Sequence, residues 1–327
     1  MGALAVLSAL LLTLAWGLGE NWSPLLDGLL AAGLLVTSGL HVYLLAGGRH
    51  GPRVARALAK RGWRTFLSYK FQLIMVFVQI GLFIAVIYLL GAPLVDALFR
   101  PVGEAMARYT QTNYVVFLLL GIAAWPLLWG VYEVSAGRLR QEQMTGMFES
   151  LVPTAAGVES LPFAYLLSRL GMSVVTLTAT LLVFAYLLPE GAITLSSPLS
   201  VLAFATVIAL AIVTMWGLGL IMTGLTALFK QAGAASSLLR FLLIAFAGIY
   251  VPVELLPGWA APLSEALPLT HAFRAVREIL GHGATLVDVL PEVAALALFA
   301  LYSSFGGMWV FRKLLDRARR AGTLYGY

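Results

Sequence analysis

About eight stretches of this chain have the length and apolarity of a membrane-crossing helix, and that feature removes most other ways of folding it. They lie near residues 1–18, 25–46, 71–91, 114–133, 162–188, 199–228, 236–251 and 289–311. Crossing the hydrocarbon core of a bilayer takes about 20 apolar residues. In lipid every backbone N–H and C=O must be satisfied within the protein, so such runs fold as helices. Composition agrees: 61% of the residues are hydrophobic and 11% charged, with mean hydropathy +0.92, whereas a soluble domain is about half apolar and about a quarter charged. The expectation is an all-α polytopic membrane protein. The stretch 199–228 is long enough to tilt, or to bend at Gly217 or Gly219. Residues 1–18 carry no Lys or Arg ahead of their apolar run and read as a retained, short membrane helix, with an uncleaved leader as the alternative.

Charge between the stretches sets orientation. Arg49, Arg53, Arg56, Lys60, Arg61, Arg64 and Lys70 crowd one segment, and Arg312, Lys313, Arg317, Arg319 and Arg320 crowd the last. The excess of cations on the cytoplasmic side of membrane proteins places both segments, and both termini, inside. Counting spans puts 92–113, 189–198 and 252–288 outside, and 134–161 and 229–235 inside. The outer loops hold few cations, so count and charge agree.

Two connecting segments are more than loops. Arg53, Arg56, Lys60 and Arg64 recur on one helical face, with Val54, Ala57, Leu58, Phe66 and Leu67 supplying apolar area and Trp63 near the boundary. This pattern predicts an amphipathic helix in the inner interface with its cations on anionic headgroups; a plain basic loop is the alternative. Residues 252–288 hold Pro252, Pro257, Pro262 and Pro268, then a helix-like run from Leu269 to Leu280, then Gly281 and Gly283. Short apolar helices broken by proline predict a hairpin dipping partway into the outer leaflet.

Chemistry of its own is not written in the chain. There is no cysteine, which excludes disulfides, thiolate metal sites and cysteine nucleophiles. No P-loop, H-E-x-x-H or G-x-S-x-G pattern occurs. His41, His50, His271 and His282 share no metal-ligand spacing, so neither a catalytic residue nor a metal ligand is expected. Among charged residues near the spans, Glu133, Arg169 and Arg240 lie close enough to the inner surface to snorkel, and no mid-span relay is visible. Trp125, Trp129, Tyr132 and Trp216 either line a pathway or serve as helix packing and interface belts, the second being preferred.

Two segments carry a resemblance. The inner loop reads Glu142-Gln143-Met144-Thr145-Gly146-Met147-Phe148-Glu149-Ser150-Leu151-Val152-Pro153-Thr154. The outer segment reads Pro252-Val253-Glu254-Leu255-Leu256-Pro257-Gly258-Trp259, followed by Leu267-Pro268-Leu269-Thr270 and by Arg274 and Arg277. Both resemble permease subunits of ABC-2 type ABC transporters, a family that includes drug, polysaccharide and lipid exporters. In the first, Gly146, Glu149 and Leu151 match, Met147 and Phe148 replace Thr-Leu, and Pro153-Thr154 reverses the usual order. The second is similar to Pro-x-Glu-x-Leu-Pro-x-Trp and Leu-Pro-x-Thr followed by Arg. The resemblance covers about residues 52–320.

The resemblance implies a six-span core with an amphipathic interfacial helix and an outer re-entrant hairpin. Residues 1–48 are then an extra pair of spans, and 49–327 the transmembrane domain. It implies that Gly146, Met147, Phe148, Glu149, Leu151 and Pro153 form a short coupling helix docking on an ATP-binding subunit. Pro252, Glu254, Pro257, Trp259, Pro268, Thr270, Arg274 and Arg277 would cap the outer end of the pathway. It further implies two ATP-binding subunits carrying ATP and Mg, a second permease copy or paralogue, surrounding lipid, and outward movement of an amphiphilic or hydrophobic cargo across a prokaryotic inner membrane. No nucleic acid partner is expected. The rival readings are an ATP-independent secondary transporter, a structural subunit of such a complex, and an intramembrane lipid-modifying enzyme built on Glu254, Glu265, His271, Arg274 and Arg277.

Overall fold

The computed structural model describes residues 114–145, 161–187, 193–194, 197–229 and 233–321, with isolated helical positions between 57 and 82. The N-terminal span pair, the coupling segment at 146–153, and Arg53 and Arg56 lie outside the described residues. Lys60 and Arg64 lie in helical backbone and are exposed, as are Ile74, Met75, Val78 and Leu82. Every regular element among the described residues is helical. They are α1 (Tyr114–Met144), α2 (Leu161–Leu187), α3 (Pro198–Phe229), α4 (Gly233–Phe246), a 3-10 turn (Val253–Leu255), α5 (Ala261–Glu265), α6 (Pro268–His282) and α7 (Leu290–Arg320).

Four of these, α1, α2, α3 and α7, are long and apolar enough to cross a membrane. The stretch expected over 236–251 differs. Its helix, α4, has 14 residues, about 21 Å at 1.5 Å per residue, short of the ~30 Å hydrocarbon core. The chain leaves the helix at Ala247, and Gly248 takes a φ of 72° that side chains with a Cβ rarely adopt. Val251 precedes Pro252, a position biased to extended backbone.

Two helices run on beyond their apolar cores. Residues 134–144, expected as loop, continue α1 because Ala136 and Leu139 are buried while Arg138 pairs with Glu142 one turn on, at 3.4 Å. The last helix extends past residue 311 because Phe311, Leu315 and Ala318 recur on one buried face. Its charged face includes the Arg319–Asp316 pair at 3.2 Å.

The bundle is organised around α3, which packs most extensively against α7 and then against α1. Lipid tails are as apolar as leucine, so helices associate through close packing rather than through release of water. The α3 sequence supplies the close approach. A Cβ on Gly217 would overlap the backbone of Ser303 and Ser304, and one on Gly307 would overlap the carbonyl of Gly217. A Cβ on Gly219 would strike Ser135 of α1. Glycine here lets two backbones touch, and α3 runs as one helix through both positions.

Several hydroxyls within the core bond to the carbonyl one turn back in their own helix. Thr206, Thr214 and Thr226 each donate to the carbonyl four residues back, at 2.8, 2.9 and 2.8 Å. Thr223 does the same to Gly219, at 2.8 Å, and also donates across to the carbonyl of Ser135. Trp216 is fully buried, and its indole donates to the carbonyl of Pro162 at 3.4 Å.

Replacing Gly217 or Gly307 with alanine forces these backbones apart. Overpacking of this kind costs about 1–3 kcal/mol, so both variants should lower the thermal unfolding midpoint of the purified protein. Gly137→Ala, where a Cβ meets nothing within 4 Å, should not lower it. Equal stability of all three would refute the close-packed seam.

Candidate functional site at the hairpin end

The segment from Ala247 to His282 forms a folded cap on one end of the bundle. Proline starts each piece. Pro252 precedes the 3-10 turn, Pro262 sits in the first turn of α5 and Pro268 opens α6. The first turn of a helix has no intrahelical use for the N–H that proline lacks. Helix α6 ends at Gly283, in left-handed conformation at φ 68°, with its N–H on Ile279 O at 3.0 Å. One face of α6, including Leu269, Phe273, Val276 and Leu280, is fully buried against the bundle.

Arg277 fixes this cap to α1. Its Nε donates to the carbonyl of Phe117 at 3.2 Å and its Nη2 to the carbonyl of Ile249 at 3.0 Å. The guanidinium lies 3.6 Å from the centroid of the Phe117 ring. Gly121 makes room, because a Cβ there would overlap the guanidinium. Burial pushes the Arg277 pKa down to about 9, with Glu254 opposing, so the group is still cationic at neutral pH. Ile249 O is a carbonyl that the end of α4 leaves outside any helix, and Arg277 supplies its donor.

Arg274 anchors a second, more exposed cluster. It pairs with Glu265 at 2.7 Å and stands 3.8 Å from both Glu254 and Glu292. His271 Nε2 lies 3.1 Å from the Glu265 carbonyl, a bond in which the ring nitrogen donates. The hydrogen bond from Arg274 holds Glu265 below the ordinary carboxylate range, against an opposing burial effect. Burial acts to lower the Arg274 pKa, but Glu265, Glu254 and Glu292 together raise it. Beneath the cluster, Thr270 donates to Ser264 O and Ser264 donates to Phe246 O, both at 2.6 Å. The α6 C-terminus is tied as well: Thr194 N–H reaches Leu280 O at 2.7 Å and Ser200 reaches Gly283 O at 2.6 Å.

A cavity of about 400 Å³ opens between these groups, bounded by Phe117, Pro252, Glu254, Thr270, Arg274 and Arg277. Five of the eight hairpin residues singled out from sequence therefore meet at one cavity or one ion-pair cluster: Pro252, Glu254, Thr270, Arg274 and Arg277, while Pro268 opens the helix that carries the last three. Trp259 stands apart, 72% exposed, edge-on to Phe246 at 6.1 Å, and Pro257 accepts from Ala260 in the turn before α5. Sequence reading missed Phe117, Gly121, Ser264 and Glu292. Gly121 and Glu292 leave a faint trace, as a glycine inside an apolar run and a lone carboxylate at the start of another; the rest leave none. The proposed enzyme cluster is drawn into ion pairs centred on Arg274, while Arg277 faces α1 instead. No group of three or more His, Asp or Glu able to hold a metal occurs among the described residues.

At the opposite, basic end, Arg169 of α2 does not simply reach for the surface. Its guanidinium crosses α1 at Gly130, with Nε buried and without a hydrogen-bond partner. Arg240 of α4 lies over the Trp129 ring at 5.2 Å.

Two outcomes follow for the cap. Arg277→Met leaves the Ile249 carbonyl without this donor and removes the bond to the Phe117 carbonyl, which should cost about 1–3 kcal/mol, read as a lower unfolding midpoint. The Glu265 pair has the opposite pH sense to a histidine switch. Its folded pKa is lowered, so its contribution is complete above the ordinary Glu value of about 4.3 and is lost as pH falls through the lowered value. Hydrogen exchange of α5 and the first turn of α6 should stay slow from neutral pH down to about 5 and quicken below about 4.3. Glu265→Gln should exchange faster at neutral pH and lose the acid step; an unchanged acid step in that variant would reassign it.

The profile of the ABC-2 type transporter family matches residues 53–280, more than two thirds of the chain, from the basic segment to the third-last residue of α6. Among curated proteins none matches the chain. Members of that family are permeases rather than catalytic domains, and they pair with an ATP-binding subunit and dimerise. From the apolar helical bundle and the extent of that match, the chain belongs to the ABC-2 type transporter family and is a membrane-spanning permease of an ABC transporter.

Proposed function

We propose that this permease belongs to an ATP-driven exporter that moves an amphiphilic or hydrophobic cargo (a drug, lipid or glycan) outward. In this reading the basic end faces the cytoplasm of a prokaryotic cell and the hairpin end faces outward, both termini being inside. ATP and Mg sit on two copies of a separate ATP-binding subunit. The permease pairs with a second copy or a paralogue, and residues 52–70 lie on the inner headgroups. The hairpin, with Pro252, Glu254, Pro257, Trp259, Pro268, Thr270, Arg274 and Arg277, caps the outward side. Residues 1–48 form a separate span pair and 49–327 the transporting domain.

The observation that carries the reading, beyond family membership, is the continuity of α1. It has 31 residues, ~46 Å of helix. One end holds Phe117 and Gly121 against Arg277 of the hairpin. The other ends at Met144, two residues before the coupling segment Gly146, Met147, Phe148, Glu149, Leu151 and Pro153. A push on that segment when the ATP-binding subunits close is delivered along α1 to the cap. A helix resists compression along its axis, and packed interfaces shift between discrete arrangements. Pro126 removes one backbone N–H near the middle of α1, which marks the place where bending can occur.

The coupling assignment is tested by Phe148→Ala combined with Glu149→Ala. In vesicles containing the complex purified with its partner subunits, ATP hydrolysis should persist while transport is lost, with the unfolding midpoint unchanged. Undiminished transport by a folded double variant would defeat the assignment. Purification of the tagged chain with its stoichiometric partners should recover a P-loop subunit. A chain recovered alone and active in vesicles without ATP would move the protein to a secondary transporter.

A further inference from the structure

The basic end of the bundle contains a second cavity, about 260 Å³, between α1 and the first two turns of α4. Its α1 wall is aromatic. Trp125 stacks on Trp129 with centroids 5.4 Å apart, and Trp129 meets Tyr132 at 4.7 Å. Its α4 wall presents Gly233, Ser236, Ser237 and Arg240, the i, i+3, i+4, i+7 face of that helix. Arg240 lies over the Trp129 ring, and Tyr132 donates to Ser236 Oγ at 2.9 Å, which leaves the Ser236 proton free to point elsewhere.

This cavity is rich in donors and cationic. Arg140 and Arg240 line it against one carboxylate, Glu133. Gly233 begins α4, whose first turn carries no acidic residue, so the positive pole of a 14-residue helix adds to the charge of the wall. Trp129, 7% exposed, has its indole N–H buried there with no acceptor. Beside the polar face, Leu238 and Phe241 are 60% and 64% exposed and lie on the neighbouring strip of α4. The arrangement has two parts: a small cationic pocket suited to a group with several acceptor oxygens, and an exposed apolar strip beside it.

We infer that this cavity is a loading subsite for the phosphate headgroup of a phosphate-bearing amphiphile, whose chain lies along Leu238 and Phe241. The assignment rests on the exporter reading for its orientation, which puts the basic end at the inner leaflet, and it narrows the cargo class to anionic amphiphiles. Phosphate accepts from helix N-termini and guanidinium groups in the way this wall offers. The cavity is too small for a whole lipid and of a size for its headgroup. The aromatic floor restrains Arg240 in place, so the cation is held before the ligand arrives.

The test is equilibrium binding of radiolabelled lysophosphatidic acid to the full chain in phosphatidylcholine nanodiscs, without ATP or partner subunits. Failure of the exporter reading therefore leaves the binding result standing, and the reverse. Saturable binding is expected, with the uncharged monoacylglycerol binding about tenfold or more weaker. Arg240→Gln should weaken lysophosphatidic acid by a similar factor and Arg240→Lys by less. Arg319→Gln, on the exposed face of α7, should bind as the parent does. Competition by millimolar inorganic phosphate would mean that the pocket takes the free anion and the strip adds little. Competition by dioleoyl phosphatidic acid but not by phosphate would mean that the chain is needed. Either supports a phosphate site. Equal binding of monoacylglycerol and lysophosphatidic acid, or full affinity in a folded Arg240→Gln variant, overturns it.

Discussion

The bundle depends on how closely α3 approaches its neighbours. In water a helix of this composition would be driven into a core by its apolar surface. In lipid that drive is absent between helices, and what remains is contact and hydrogen bonding. Gly217 and Gly307 bring α3 and α7 into backbone contact, and Gly219 lets Ser135 of α1 come equally near. That proximity is also what allows Thr223 to reach the Ser135 carbonyl. Small residues and hydroxyls thus supply in lipid what large side chains supply in water. The buried Trp216 fills the space beside the seam and finds its own acceptor on α2.

On this frame α1 is set between two kinds of anchorage. Its central part is gripped by α3, its first turns by the hairpin through Arg277, and its last turns meet α2, where Arg138 lies 5.9 Å from the centroid of the Tyr165 ring. The hairpin itself is held by Arg277 to α1, Ser264 to the end of α4, Gly283 to Ser200 at the start of α3, Leu280 to Thr194, and Arg274 to Glu292 of α7. A displacement of α1 along its axis therefore reaches the cap through the Phe117 carbonyl and Arg277.

Much of this was legible in the sequence, for reasons that differ by element. The apolar runs behind α1, α2, α3 and α7 are unambiguous because lipid tolerates little else. The order Pro252, Pro257, Pro262, Pro268 announced a broken helical cap, and Gly283 its end. The helix ends were less legible, since α1 and α7 run on as amphipathic helices where apolarity alone stops. The shortness of α4 was hidden because Ala247 to Val251 is as apolar as a helix and only the conformation of Gly248 reveals the turn. Within the site, Arg274 and Arg277 were both named, but only their neighbours separate them. One answers to three carboxylates and the other to two carbonyls and a ring.

That separation bears on how the protein assembles. A guanidinium buried at this depth without acceptors is strongly unfavourable. Its two acceptors come from α1 and from the chain just beyond α4, 160 and 28 residues earlier in sequence. Helix α6 cannot seat stably until both are in position. The cap is therefore the closing event of folding in the membrane rather than a span that inserts in its turn, and a chain in which α1 or α4 is misplaced leaves a charged, amphipathic helix exposed at the surface as the mark of its failure.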